Sequence, residues 1–326
     1  MERRWGCAVR FRLLGPMAVD DIAGDGAVPP GARLRVLLAT LVLHANTPIP
    51  RDVLAETVWD ANPPPGADAS LRSYVLRLRR ALGPEAGARI EFHDPGYLIR
   101  LTRSEVDVLE FDALARKTAQ AVHAASWEEA AALGARALAL WRGEPLLDVP
   151  SQILHNEFVP RLEQLIVQLR EDCVEADLEL GRSDRLVPQL RELTTAYPLR
   201  ERFHTQLMLA LAHGGRRAEA LEVYQRARQA LVDELGVEPG PELRDLHERI
   251  LSGRLDPGTD PYTAVNADVA PTPVPQEAST LSSVPRQLPA TVRLFTGRQA
   301  ELDAFARLPG ENGAFSGTVV DRKSVV

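Results

Sequence analysis

Residues 70–82, SLRSYVLRLRRAL, carry the pattern that decides the fold. On a helix that turns about 100° per residue, their apolar side chains gather on one side and their guanidinium groups on the other. The apolar side holds Leu71, Val75, Leu78 and Leu82, with Tyr74 and Ala81 at its edge. The opposite side holds Arg72, Ser73, Leu76, Arg77, Arg79 and Arg80. The stretch is therefore predicted to be a helix that packs one face on a core and presents an arginine-rich face.

A strand pair is predicted directly after this helix. Residues 88–101, ARIEFHDPGYLIRL, are typical of two short strands around the turn Asp94-Pro95-Gly96. Two helices are predicted before it, at 33–43 and 50–59, because apolar residues recur there at helical spacing. Three helices followed by a hairpin is the order of a winged helix-turn-helix. Residues 9–103, called the head below, are predicted to have that fold, with a small leading β-sheet.

Residues 104–252, called the body below, are predicted to be almost entirely helical. Gly181-Arg182 and Gly215-Arg216 each follow a helix rich in small residues, and their spacing of 34 residues is the period of tetratricopeptide helix pairs. Each pair of residues is followed by a second predicted helix, at 184–197 and 218–235. We expect a stack of antiparallel helices whose acidic residues face water.

The expected fold class is therefore mainly α. A winged helix-turn-helix with a small β-sheet and a wing hairpin is followed by an α-helical, tetratricopeptide-like repeat domain. Residues 253–290 are predicted to be a linker because prolines are scattered there among Ser, Thr and Ala. Residues 291–326 form a tail that is too short to fold alone.

Composition excludes several classes of protein. With 45% apolar residues, the chain of 326 residues is able to bury a core and is not disordered overall. No apolar run approaches the roughly 20 residues that cross a bilayer. Cys7 and Cys173 are too few for a disulfide framework or a four-cysteine zinc site. We expect a reduced, cytoplasmic protein without a membrane partner.

The charge is distributed unevenly along the chain. The net charge of −7 argues by itself against nucleic acid as a partner. Residues 1–103, however, carry 14 arginines against 11 acidic residues, while residues 104–255 carry 18 basic residues against 26 acidic ones. A basic head on an acidic body therefore keeps nucleic acid open as a partner of the head.

Two interpretations of the arginine face are open: a DNA-binding surface, or an ordinary solvated helix face. The neighbouring helices and the hairpin favour DNA, because the major groove of duplex DNA admits one α-helix. Ser73 and Arg77 lie centrally on the polar arc and are candidates for base contacts, with Tyr74 at its edge. The remaining arginines of the helix suit phosphates or internal salt bridges. The full predicted DNA-binding set is Ser70, Arg72, Ser73, Tyr74, Arg77, Arg79, Arg80, Arg89 and His93.

The hairpin supplies the last members of that set. His93 lies at its tip, where a side chain is able to enter the minor groove. Tyr97 is expected in the core, where it anchors the wing on the third helix. Arg89 and Arg100 are expected either to contact phosphates or simply to be exposed.

No enzymatic site is predicted. The seven histidines are scattered, and none lies at ligand spacing from Cys, Asp or Glu. The carboxylates of the body are expected on solvated helix faces. The phosphate-binding string G-x-x-x-x-G-K-[ST] does not occur in the sequence. We therefore expect no catalytic residues, no metal and no cofactor.

Several of these segments resemble a known family. FRLLGP near the start, the SLRSYVLRLRRAL helix and the DPGYLIRL wing resemble the OmpR-type DNA-binding domain of the Streptomyces antibiotic regulatory protein (SARP) family. VDVLEFDALA, LWRGEPLLDVP and especially DELGVEPGPELRDLHERIL resemble the bacterial transcriptional activation domain of that family. Together the matching segments cover about residues 9–252.

The resemblance implies a transcriptional activator of secondary-metabolite gene clusters. Such proteins bind direct repeats near promoters, commonly as side-by-side dimers, and recruit RNA polymerase. By position, Ser73, Tyr74 and Arg77 fall where OmpR-type recognition helices touch bases. His93 falls where many relatives have a wing arginine, so insertion of the wing into the minor groove is in doubt.

Residues 287–305, QLPATVRLFTGRQAELDAF, resemble the lead-in to the nucleotide-binding module of larger relatives. The sequence stops before any phosphate loop, so ATP binding is not expected, and both a natural short form and a truncation stay open. Two rival interpretations remain: a tetratricopeptide-like protein-interaction scaffold without specific DNA binding, and a remnant of a nucleotide-driven switch.

Overall fold

The computed structural model describes residues 10–20 and 28–254, and all of them fall within one compact unit. The predicted tail, and the predicted linker apart from its first two residues, lie outside the described residues. The head contains β1 (Arg10–Arg12), β2 (Ala18–Asp20), α1 (Ala32–Leu43), β3 (Ile49–Pro50), α2 (Arg51–Val58), α3 (Ala67–Ala81), α4 (Gly83–Ala88), β4 (Ile90–His93) and β5 (Gly96–Ile99). The body contains α5 (Asp107–His123), α6 (Trp127–Leu138), α7 (Gln152–Glu179), α8 (Ser183–Ala196), α9 (Glu201–His213), α10 (Arg217–Leu235) and α11 (Pro241–Ser252), preceded by a 3-10 turn at Arg103–Glu105.

The predicted fold class is confirmed, and the helices of the head lie where the apolar periodicity places them. The side chains of Leu71, Val75 and Leu78 on α3 are almost fully buried against α1 and α2. The short helix α4 was not predicted. Its sequence GPEAGA has poor helix propensity, but its proline stands in the first turn, where a helix tolerates it.

The wing is a three-stranded antiparallel sheet in the order β3-β5-β4. Its hairpin pairs His93 with Gly96, as the predicted turn requires. Gly96 faces Pro50 of β3, and a Cβ atom at Gly96 would lie only 1.6 Å from the carbonyl oxygen of Ile49. Glycine is therefore needed here so that β3 is able to pack against the wing.

The helical repeat of the body is confirmed at the backbone. Gly181 and Gly215 both have positive φ, 71° and 72°, which favours glycine and ends α7 and α9 in the same way. The N–H of the following arginine returns in each case to a carbonyl of the last helical turn. The pairs α7–α8 and α9–α10 follow these predicted glycines.

The prediction that the acidic residues of the body face water is wrong for one group on α7. Glu171, Asp172 and Glu175 are only 3%, 4% and 8% exposed. Arg202 on α9 forms ion pairs with all three, and Arg200 lies 3.6 Å from Glu171. Burial raises the pKa of Glu171 and of Asp172, while Arg202 acts in the opposite direction. This cluster joins the two long repeat helices.

A second buried carboxylate joins the head to the body. Asp107, the first residue of α5, accepts hydrogen bonds from the backbone N–H groups of Leu13 and Leu14 at 2.8–2.9 Å. The N–H of Val108 donates to the same carboxylate at 2.8 Å. Burial raises the pKa of Asp107, although these N–H groups and Arg142 act against that shift. The leading segment of the head is thus fastened to the start of the body.

The connection between α6 and α7 completes this junction. The backbone N–H groups of Arg142 and Leu146 donate to the carbonyls of Leu14 and Leu13. Further along, the N–H of Ile153 donates to Asp60 at the end of α2. These contacts attach the body both to the leading segment of the head and to the end of α2, so the head and the body are held in a defined relative orientation.

Asp107→Asn tests the junction. An amide has only one acceptor oxygen, so we expect a backbone N–H of Leu13 or Leu14 to be left buried without a partner. The free energy of unfolding, measured by urea titration followed by circular dichroism, should fall by about 2 kcal/mol. Glu110→Gln, one turn later on α5, is the matched control and should change little, because within the described residues the Glu110 side chain forms no hydrogen bond or ion pair. Equal losses in both variants would contradict the role assigned to Asp107.

Arg202→Met tests the buried cluster on α7. At pH 7 three buried carboxylates lose their shared counter-charge, and the free energy of unfolding should fall by about 3 kcal/mol. The pKa values of Glu171 and Asp172 are already raised in the folded protein, and the variant raises them further. A raised folded-state pKa means that the stability falls as the pH rises above the unfolded-state pKa. The loss should therefore be smaller in urea titrations at pH 5 than at pH 7.

The control for this variant is Arg191→Met, which removes the exposed partner of Glu219. It should affect stability little and show no such dependence on pH. A loss in Arg202→Met that is the same at both pH values would contradict the electrostatic explanation.

Candidate nucleic-acid interface

The outer face of α3 is a single exposed stripe. The side chains exposed along it are Ala69, Arg72, Ser73, Leu76, Arg77 and Arg80. Their spacing of three and four residues puts them on one side of the helix, opposite the buried leucines. Ser73 and Arg77, the predicted base contacts, both belong to this stripe, and Ser70 lies half-buried at its edge.

Tyr74 is half-buried and organises two arginines beside the stripe. Its ring packs on Trp59 with 5.7 Å between centroids, and its hydroxyl accepts a hydrogen bond from Arg33 Nη1 at 3.2 Å. The Arg77 guanidinium lies 6.0 Å from the centre of the same ring. Such cation–π contacts stabilise an arginine in place. Arg33 and Trp59 were missed from sequence, because nothing local shows that α1 and α2 bring them to α3.

Three of the predicted arginines make contacts inside the protein, namely Arg72, Arg79 and Arg89. Arg72 forms an ion pair with Asp68, which also pairs with Arg51. Arg79 Nη2 donates to the carbonyl oxygen of Ile90 at 2.7 Å and so ties α3 to the wing. Arg79 therefore has an internal contact, although it is a hydrogen bond to the backbone and not the salt bridge that the sequence left open.

The prediction for Arg89 is wrong. Its side chain is 7% exposed, so it is neither a surface residue nor accessible to a phosphate. It forms an ion pair with Glu105 at 2.6 Å. Burial tends to raise the pKa of Glu105, but hydrogen bonds from the Thr102 N–H and from Arg89 bring it below its ordinary value. Arg89 is a structural residue between the head and the 3-10 turn.

The wing presents a weaker positive surface than α3. His93 is exposed at the hairpin, 3.9 Å from Glu91, and Arg100 Nε lies 3.2 Å from the same carboxylate. Tyr97 is buried as predicted and packs edge-on against Phe92. Much of the wing's positive charge is therefore offset by Glu91.

Among the described residues, Arg33, Arg77 and Arg80 are the arginines on or beside the stripe that have no carboxylate partner. Within residues 10–20 and 28–254, no carboxylate forms an ion pair with any of these three side chains. They give the exposed stripe three cations whose charge no neighbouring carboxylate offsets in the described part of the chain. This arrangement suits a linear polyanion better than a small charged ligand.

The described part of the chain offers little for other chemistry. It contains no group of three or more His, Cys, Asp or Glu residues placed to hold a metal ion. Two histidines of the body, His155 and His204, form hydrogen bonds with main-chain carbonyls. None of the described helices combines the length and the apolar character that a bilayer crossing requires.

Comparison with known proteins agrees with this geometry. Residues 27–99 match the family described as "Transcriptional regulatory protein, C terminal", and residues 106–251 match "Bacterial transcriptional activator domain". DnrI of Streptomyces peucetius is 34% identical over 262 residues, which cover 77% of this chain and 94% of DnrI. The chain belongs to the SARP family of transcriptional regulators.

Two further relatives extend this finding. AfsR of Streptomyces griseus is 39% identical over 90% of this chain, but the chain spans only 28% of the length of AfsR. A solved structure of Mycobacterium tuberculosis EmbR, in complex with a low-affinity phosphopeptide, superimposes with a TM-score of 0.73 at 32% identity. It covers 80% of this chain and 69% of the EmbR chain, so the fold of a SARP-family regulator extends over both head and body.

The different roles of two adjacent arginines give a stability test. Arg79→Ala removes the donor to the Ile90 carbonyl and should lower the free energy of unfolding by about 1–2 kcal/mol. Arg80→Ala is the matched neighbour: it is exposed and should have little effect. Thermal and urea unfolding of both variants measure the difference, and equal stabilities would contradict the structural role of Arg79.

Proposed function

We propose that the protein is a DNA-binding transcriptional activator of secondary-metabolite (antibiotic) biosynthesis genes. The observation that carries this proposal is the exposed stripe of α3, with Arg77 and Arg80 free of carboxylate partners in the described part of the chain. Membership of the SARP family supports the regulatory role. The protein then acts in the cytoplasm by binding, without catalysis and without a cofactor.

Binding starts with charge neutralisation. Lysine and arginine side chains that meet phosphates release condensed counterions, which makes the affinity depend on salt. Arg80 and Arg33 are the candidates for phosphate contacts, and Arg72 joins them if it exchanges Asp68 for DNA. Because such contacts ignore sequence, they orient the protein but do not select a site.

Selection of a site requires contacts to base edges. With α3 in the major groove, Ser73 and Arg77 are the candidates, since arginine bonds guanine O6 and N7 in a bidentate manner. The ring of Tyr74 contacts the Arg77 guanidinium, and Ser70 lies at the start of the same face. His93 stays a candidate for a contact near the minor groove, beside Glu91.

Activation is assigned to the body. The family resemblance implies that two copies bind direct repeats side by side as a homodimer on DNA and recruit RNA polymerase. The acidic body suits a protein partner better than DNA, because residues 104–255 contain 26 acidic and 18 basic residues. The hydrogen bonds at Asp107 would hold this surface at a constant position relative to the bound DNA.

Two arginine variants separate base contacts from phosphate contacts. Arg77→Ala should weaken binding to the cognate site by about 1–3 kcal/mol and relax its sequence preference. Arg80→Ala should weaken all DNA about equally and reduce the slope of log K against log salt by about one. Gel-shift titrations on cognate and random duplexes at several salt concentrations measure both effects.

Arg185→Ala is the control for this pair, because Arg185 is an exposed arginine of the body. It should leave the affinity and the salt slope unchanged. Unchanged DNA binding in both Arg77→Ala and Arg80→Ala would remove α3 from the proposal.

The paired helices of the body favour one alternative, a tetratricopeptide-like interaction scaffold without specific DNA binding. This alternative predicts that the intact chain has no salt-sensitive affinity for duplex DNA. A titration on random DNA at two salt concentrations therefore discriminates between the two functions.

A further inference from the structure

Leu76 lies near the middle of the exposed stripe of α3 and has no role in the core. Its side chain is 49% exposed, while every other leucine of α3 is buried. At about 100° per residue, Leu76 falls about 30° from the centre of the stripe, closer than either Arg72 or Arg77, while Arg80 lies near the centre one turn further along the helix. A single exposed leucine is ordinary on a protein surface, but this one lies near the middle of the face that is proposed to meet DNA.

Arg72 and Arg77 lie on the flanks of the stripe, to either side of Leu76. Arg72 reaches back to Asp68 on one flank, and Arg77 lies against Tyr74 on the other. Between them the stripe carries Ala69, Ser73 and Leu76, with Arg80 one turn beyond Leu76. The face is therefore a ridge with small and apolar side chains along its first turns, Arg72 and Arg77 on its flanks and Arg80 towards its end. This shape allows Leu76 to approach base edges closely.

The four bases differ in what they offer to an apolar side chain. In the major groove, guanine, adenine and cytosine present mainly hydrogen-bonding groups, whereas thymine presents its C5 methyl group. An isobutyl group buried against that methyl removes apolar surface of both partners from water. Against the other three bases, the same side chain would cover a polar edge without a hydrogen bond.

We propose that Leu76 contacts the C5 methyl group of a thymine and so selects an A·T pair at one position of each bound site. This inference rests on the proposed function, because it requires α3 in the major groove. Leu76 would act beside Arg77 as a second specificity-determining residue, through an apolar contact rather than hydrogen bonds.

The test uses the full chain and sites selected from a random duplex library by repeated rounds of binding. In a selected site, each thymine is then replaced in turn by deoxyuridine, which lacks only the C5 methyl group. At the thymine that meets Leu76, loss of the methyl group should weaken binding about three- to fivefold, the equivalent of one buried methyl group. Gel-shift titration at fixed salt measures each affinity.

The same deoxyuridine series is measured with Leu76→Ala. This variant should bind the unmodified site about tenfold more weakly and be insensitive to deoxyuridine at that one thymine. Leu235→Ala, an exposed leucine of the body, is the matched control and should reproduce the unaltered protein. Thermal unfolding checks that both variants are folded.

The outcomes separate this inference from the function on which it rests. Coupling between Leu76→Ala and one deoxyuridine supports the contact. Salt-sensitive, site-specific binding in which Leu76→Ala responds to every deoxyuridine as the unaltered protein does would overturn the Leu76 contact alone. Recovery of no preferred site and no salt-sensitive binding would overturn the proposed function and this inference with it.

Discussion

One carboxylate at the start of the body, that of Asp107, determines how the two halves of the protein are arranged. It accepts backbone N–H groups from Leu13 and Leu14 of the head and from Val108 of its own helix. Its position at the first turn of α5 places the negative charge where unpaired N–H groups and the helix dipole stabilise it. The same carboxylate oxygens accept hydrogen bonds from the start of α5 and from the leading segment of the head. The head therefore cannot move away without exposing both the start of α5 and the N–H groups of that segment.

This arrangement has a consequence for regulation. If the head and the body were joined by a flexible linker, binding of the head to DNA would not fix the position of the body. Here the segment between α6 and α7 bonds to the head at Leu13 and Leu14, and the first turn of α7 bonds to it at Asp60. With the proposed function, the body would be presented in one orientation on each bound site, and two copies on direct repeats would offer a partner the same surface twice at a defined spacing.

How far the sequence predicts this structure depends on the distance over which each signal acts. The helix α3, the wing and the repeat glycines were predictable, because periodicity, turn residues and positive φ are local properties. The burial of Arg89 and of Glu171 was not, since their partners Glu105 and Arg202 lie 16 and 31 residues further along the chain. A charged residue is expected at the surface unless a distant partner is known. The junction at Asp107 was hidden for a similar reason, because its donors are backbone groups that any residue supplies.

The same limit affects the candidate site, where counting arginines overestimates the surface available to DNA. Of the five arginines predicted to bind, Arg72, Arg79 and Arg89 already have partners inside the protein. The remaining charge is small, and Arg33 only adds to it because the fold brings α1 beside α3. A surface with so few free cations gains limited affinity from phosphates, so discrimination between sites has to come from the groups that face the bases. Discrimination between DNA sites therefore depends mainly on the shape and chemistry of the exposed stripe.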